Sequence, residues 1–246
     1  MGKKSQIHII ENTRRDRSCH AELAGEGTMT GPVDAEGKGI RAGEEALLSA
    51  ALEGVHDLNE RCMVLLQKLA VAHPGDLPQF LGPLIPQLRK LDRGAICAIA
   101  DHPFLLMDFV FGKPKWLHEV LTNVPSRLHF PNPRSTFPAA DAKALVRGAL
   151  LLAKSVCRHH PAHAALLLGL DPSLQPLMAE LRLPDLEGVA EAHPHQLRLR
   201  WENRFDVWEY LLAAGTSPDP GACHQFRMYG MQLIAGDLKR GSSGVR

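Results

Sequence analysis

Residues 99–121 read "IADHPFLLMDFVFGKPKWLHEVL" and residues 189–212 read "VAEAHPHQLRLRWENRFDVWEYLL". Both stretches carry a His-Pro pair (His102-Pro103 and His193-Pro194), followed by a tryptophan inside an apolar helical run, Trp116 and Trp208. The likeness continues upstream in the same order. "HPGDLPQFLG" from His73 lies on "HPAHAALLLG" from His160, and "LIPQLRKL" from Leu84 lies on "LQPLMAEL" from Leu174, setting Pro86 on Pro176 and Leu91 on Leu181. The offset drifts only from 87 to 92 residues, and ordered matches with few gaps read as an internal duplication. A residue before proline is held extended, so each His-Pro pair reads as a hinge between helices. The rings of His73, His102, His160 and His193 are then placed to cap carbonyls at the end of the preceding helix.

Around this repeat the chain divides by pattern. Residues 1–42 are polar and glycine-rich and cannot bury enough apolar surface to order themselves, so they read as a disordered N-terminal arm with a basic head. A first helical unit spans 43–124. It opens with Leu48, Leu52, Val55, Leu58, Cys62, Leu65 and Leu69, spaced three and four apart on one face of a long helix. A proline-rich linker spans 125–137, a second helical unit 138–216, and a C-terminal capping helix 217–240. The last helix echoes the start of the second unit, "MYGMQLIAGDL" against "VRGALLLAKSV". An extra helix of this kind covers the open apolar face that a repeat array otherwise leaves at its end. β-branched alternation is nearly absent, so the expected fold is all-α, two tandem homologous units and a cap. The segment Phe104–Phe111, "FLLMDFVF", fits either a buried helix or a strand and is read as core.

Composition narrows the classes of function. The formal net charge of the 246 residues is +1 and 45% are hydrophobic, which allows a large core and gives no global basic bias toward nucleic acid. No apolar run approaches the roughly 18 residues of a membrane helix. The N-terminus lacks the apolar core of a secretory signal. Five cysteines without a C-x-x-C pair point to a reducing, cytoplasmic compartment, and the Ala, Leu, Arg and Pro bias to a GC-rich bacterial genome.

Enzyme signatures fail on inspection. "HEVLT" at His118 has Thr122 where a zinc protease needs its second histidine, and "GPVDAEGKG" is one residue too long for a phosphate loop and ends in Gly39 rather than Ser or Thr. Asp101 and Asp108 flank Pro103 and do not read as an acid–base pair. The cluster His159, His160 and His163, with His193 and His195, offers metal-ligand chemistry as an alternative, although Pro161 interrupts a continuous helical face. The segment that differs most between the copies carries Arg198, Arg200, Trp201 and Arg204. Guanidinium and indole groups suit a binding surface. The expectation is a non-enzymatic adaptor or regulatory protein that binds another protein through these four residues, without a cofactor. The alternatives are nucleic-acid binding through the basic arm and the same arginines, or a histidine metal site or enzyme of unfamiliar type.

Overall fold

The computed structural model describes residues 35–122 and 136–243, with side chains for 43–122 and 136–240. Most of the expected arm and most of the expected linker lie outside the described residues. The helices are α1 (Ala35–Ala72), α2 (Ile85–Lys90), α3 (Arg93–Ala100), α4 (Pro114–Leu121), α5 (Ala139–His159), α6 (Pro161–Leu168), α7 (Gln175–Glu180), α8 (Leu183–Ala192), α9 (Phe205–Thr216) and α10 (Pro220–Ser243). Two two-residue strands, β1 (Met107–Asp108) and β2 (Arg198–Leu199), form the only sheet among the described residues. No described helix is long and apolar enough to cross a membrane. The fold is all-α apart from that ribbon.

The first helix begins at Ala35, earlier than the expected start at Glu44, so the end of the expected arm is helical. Extending a helix costs far less than nucleating one, and the strong amphipathic pattern downstream supplies the nucleus. Val55, Leu58, Cys62, Met63, Leu66 and Leu69 are buried along α1, and Ala142, Leu145, Ala149 and Ala153 along α5. The two long helices cross closely where glycines remove a side chain. A Cβ at Gly54 would stand 2.9 Å from Leu152, and one at Gly148 would stand 2.7 Å from Leu58.

After each long helix the same order of elements follows. His73 (φ −139°, ψ 61°) and His160 (φ −140°, ψ 57°) bend the chain almost identically, and each donates its backbone N–H to the last turn, to Leu69 at 2.8 Å and to Val156 at 2.7 Å. Then come the short helices α2 and α7, each with proline at its second residue, where no hydrogen-bonding N–H is needed. Helices α3 and α8, strands β1 and β2, and helices α4 and α9 complete the series. The segments differ at one point. Residues 79–84 form a 3-10 helix containing Pro83, whereas the alanine-rich 161–168 forms the regular helix α6. The rings of His102 and His160 do not cap as expected: among the described residues both ring nitrogens of His102 and Nε2 of His160 are buried without a hydrogen-bond partner.

The two stretches expected as tandem units do not stand one after the other. Strand β1 pairs antiparallel with β2, Met107 opposite Leu199 and Asp108 opposite Arg198. Helix α4 packs on α8 and on the turn 172–174, while α9 packs on α3 and on the turn 79–84. Each half thus closes on the other, and one hydrophobic core draws on both. Phe104, Leu105, Leu106, Met107, Phe109 and Phe111 are fully buried, so "FLLMDFVF" is core, irregular apart from the two strand residues of β1. Helix α10 lies against α9 and α6 and buries Phe226 and Ile234. Its Gly230 allows contact with the Phe104 ring.

Candidate binding cleft beside the ribbon

Each strand runs into the same sharp turn. Val110 and Trp201 both have φ 56°, the left-handed region that costs a non-glycine residue energy, most of all the β-branched valine. The carbonyl of Val110 accepts from the Lys113 N–H at 3.0 Å, and that of Trp201 from the Arg204 N–H at 2.9 Å. These turns set Val110 against Trp201 and Lys113 against Arg204, a shift of 91 residues. In that register Trp208 stands against Leu117, one position away from the Trp116 match expected from the sequence.

Beside the second turn lies a cleft of about 420 Å³. Its walls come from both ribbon strands and their turns, from Gly169 and Asp171 after α6, and from Ile234, Asp237 and Leu238 of α10. All four sequence-predicted residues, Arg198, Arg200, Trp201 and Arg204, line it.

Their roles differ. Arg200 is only 9% exposed. Its backbone N–H donates to Leu106 at 2.8 Å, extending the ribbon by one rung. Its Nε donates to the Leu105 carbonyl at 2.7 Å and its Nη2 to the Leu168 carbonyl at 2.7 Å. The Leu168 carbonyl belongs to the last turn of α6, where the helix dipole favours a cation. A side chain from the second half therefore ties down backbone from the first half and the end of α6. Gly169 (φ 67°) makes room for it, since a Cβ there would collide with Nη1. Trp208 supports it from behind, donating Nε1 to the Arg200 carbonyl at 2.8 Å. Burial lowers the Arg200 pKa, and the charges of Asp108 and Asp237 oppose that shift.

The other three are partly exposed. Arg198 pairs with Glu202 at 2.9 Å, and Arg204 pairs with Asp206 at 2.9 Å and donates to the Tyr229 hydroxyl at 3.0 Å. The Trp201 ring packs edge-on against Phe104 and Phe226. Arg198 Nε and Trp201 Nε1 are buried donors without acceptors among the described residues. Burial raises the Asp108 carboxyl pKa, opposed first by Arg200 and then by the hydrogen bond from the Phe111 N–H at 3.1 Å.

The histidines do not form one cluster. His160 and His163 sit as one pair, ring centroids 5.9 Å apart, and His193 and His195 as another at 5.8 Å, with His193 against Trp116. His159 is exposed at the end of α5. Among the described residues no three His, Cys, Asp or Glu side chains converge as a metal site. Asp101 is apart from the cleft, bound to Arg227 at 3.2 Å and near His56 at 3.5 Å. Burial pushes the Cys62 and Cys157 thiols up to about 12, which keeps them protonated and unreactive.

Sequence reasoning missed Asn59, which is fully buried in α1. Its Nδ2 donates to the carbonyls of Ala100 (3.3 Å) and Phe104 (2.8 Å), and its Oδ1 accepts from the Leu106 N–H at 2.8 Å. An asparagine among leucines on the core stripe was the available signal, because a buried amide needs partners. The chain matches no known family model, no curated protein and no solved structure.

Proposed function

We propose that this chain is a duplicated, non-enzymatic helical module that binds another protein, and that the partner docks over the cleft beside the ribbon. The observation that carries this reading is where the two copies part. In the register of the shared turn, Met107, Phe109, Val110 and Lys113 stand against Arg198, Arg200, Trp201 and Arg204. Met107 and Phe109 are buried in the core, whereas Val110 and Lys113 share the cleft with the arginine-rich copy, which places Arg198, Trp201 and Arg204 partly exposed on its wall. Arg198, Trp201 and Arg204 at its wall belong to the residue types enriched in protein interfaces. The repeated hinge dihedrals and the repeated αL turn support a duplication, and the position of α10 over Phe104 and Trp201 supports a cap. A cytoplasmic setting goes with this reading, since the four described cysteines are free thiols.

The test is capture from the native cell with the full chain, run beside Arg198→Glu combined with Arg204→Glu. Both side chains are partly exposed, so the melting temperature should move by no more than about 3 °C. A defined protein held by the wild type and lost by the variant supports the reading. Equal capture by both overturns it, and a partner list that vanishes on nuclease treatment replaces it with nucleic-acid binding.

A further inference from the structure

We infer that the floor of the cleft is a binding site for a small oxyanion, a carboxylate or phosphate group, seated on the unused edge of the Arg200 guanidinium. This goes beyond docking of a protein and needs no partner. The charges lining the cleft are not equally occupied. Glu202 is held by Arg198, Asp237 by Arg240, and Asp171 by the Ser173 N–H and hydroxyl. Arg200 is different. Its hydrogen bonds go to uncharged carbonyls through Nε and Nη2, so its charge has no ion-pair partner among the described residues. Its Nη1 donates no hydrogen bond among the described residues and lies against Gly169, a cleft residue with no side chain of its own to fill the space beside it.

Two further observations point to a missing acceptor. Arg198 Nε and Trp201 Nε1, both on residues lining this cleft, are buried donors with nothing to donate to. A native fold rarely leaves such groups orphaned. In the proposed complex the Arg198 and Trp201 side chains turn toward an oxyanion on Arg200 and gain a charged acceptor, and charge-assisted bonds of this kind are the strong ones. Asp108, whose pKa burial raises, and Asp237 are the acidic side chains near Arg200 with which the oxyanion competes. The carbonyls and Gly169 hold the guanidinium in place before any ligand arrives, which lowers the ordering cost of binding.

The chain has three tryptophans, hence three indole N–H signals in a nitrogen-15 spectrum of the labelled protein. Loss on Trp201→Phe identifies the signal of interest. Inorganic phosphate and, separately, acetate are titrated against sodium chloride at matched ionic strength. The expected result is a saturable shift of the Trp201 signal with a Kd of about 1 mM or tighter for at least one of the two anions. A response to phosphate alone assigns a phosphate ligand, and a response to both admits a carboxylate. Arg200→Met should weaken binding at least about tenfold, with Arg200→Lys in between. Because Arg200 also holds backbone, Arg198→Gln is the second variant, expected to weaken binding several-fold without a change in melting temperature. No saturable shift with either anion, an equal shift with chloride, or undiminished binding by the Arg198→Gln variant overturns the inference. None of these outcomes bears on protein capture, which is read separately.

Discussion

The segments 104–113 and 195–204 share a backbone and differ in almost every side chain. Each has a two-residue strand, a residue at φ 56° and the same closing hydrogen bond. In the first, Phe109 fills the core beside Phe111 and Trp116. In the second, Arg200 takes the corresponding place and reaches across to carbonyls of its counterpart strand. One backbone thus supports a greasy anchor on one side and a polar cross-tie on the other. What decides is whether acceptors lie within reach: the α6 end with Gly169 supplies one to Arg200, whereas the corresponding stretch on the other side is the proline-bearing turn 79–84.

Exchanging residues between the two segments would break that asymmetry. Phe109→Arg places a cation among Trp116 and Phe111, and the expected loss is about 5 kcal/mol by chemical denaturation, as for an uncompensated buried charge. A loss below about 2 kcal/mol would mean that acceptors exist there too. Arg200→Met strips the Leu105 and Leu168 carbonyls of a donor and should cost about 3 kcal/mol.

The two hinge histidines sharpen the comparison through pH. His102 is stacked on Phe104 and buried without partners, and burial first, then Arg227, holds its pKa down at about 4. In the unfolded chain it titrates near 6.5, so the unfolded state takes up the proton first. Stability is therefore full above about pH 6.5 and falls by about 3 kcal/mol as pH drops toward 4. His102→Gln should flatten that slope. His193, half-buried and lowered mainly by burial, should contribute a smaller slope of the same sign, removed by His193→Gln.

Asn59 fastens only the first segment. Asn59→Ala should cost about 2 kcal/mol, and hydrogen exchange at the Leu106 amide should accelerate most. The smallest effect is expected at the strained turn. Val110→Gly gives up a buried side chain but relieves left-handed strain, and the opposing terms should leave a net change within about 1 kcal/mol. A clearly larger loss would mean that the turn carries little strain.

Much of this build is legible in the sequence, because periodicity and pre-proline restriction are local. The α1 stripe from Val55 to Leu69, the hinges at His73 and His160, and the prolines opening α2 and α7 follow from short-range rules. The exchange of closing helices is not legible, since antiparallel pairing of Met107 with Leu199 depends on contacts that no spacing encodes. The cleft was half legible. Arg198, Arg200, Trp201 and Arg204 are legible as one divergent segment, but the burial of Arg200 is not, because an arginine in an alternating pattern reads as surface unless its acceptors are known. Gly169 and Asp237 enter the cleft from α6 and α10, and only the tertiary fold brings them there.

The crossed closing helices also set a timetable for synthesis. As the chain leaves the ribosome, residues 104–121 emerge well before α8, the turn 172–174 and β2, on which they pack. The apolar run of Phe104–Phe111 has α1 to pack on but must wait for its other cover while roughly 80 more residues are made, several seconds at ordinary elongation rates. Docking of the N-terminal half therefore waits until α8 and β2 have been made. A fragment ending near residue 124 is expected to aggregate, and nascent chains halted there are expected to recruit chaperones that those halted after residue 216 no longer need.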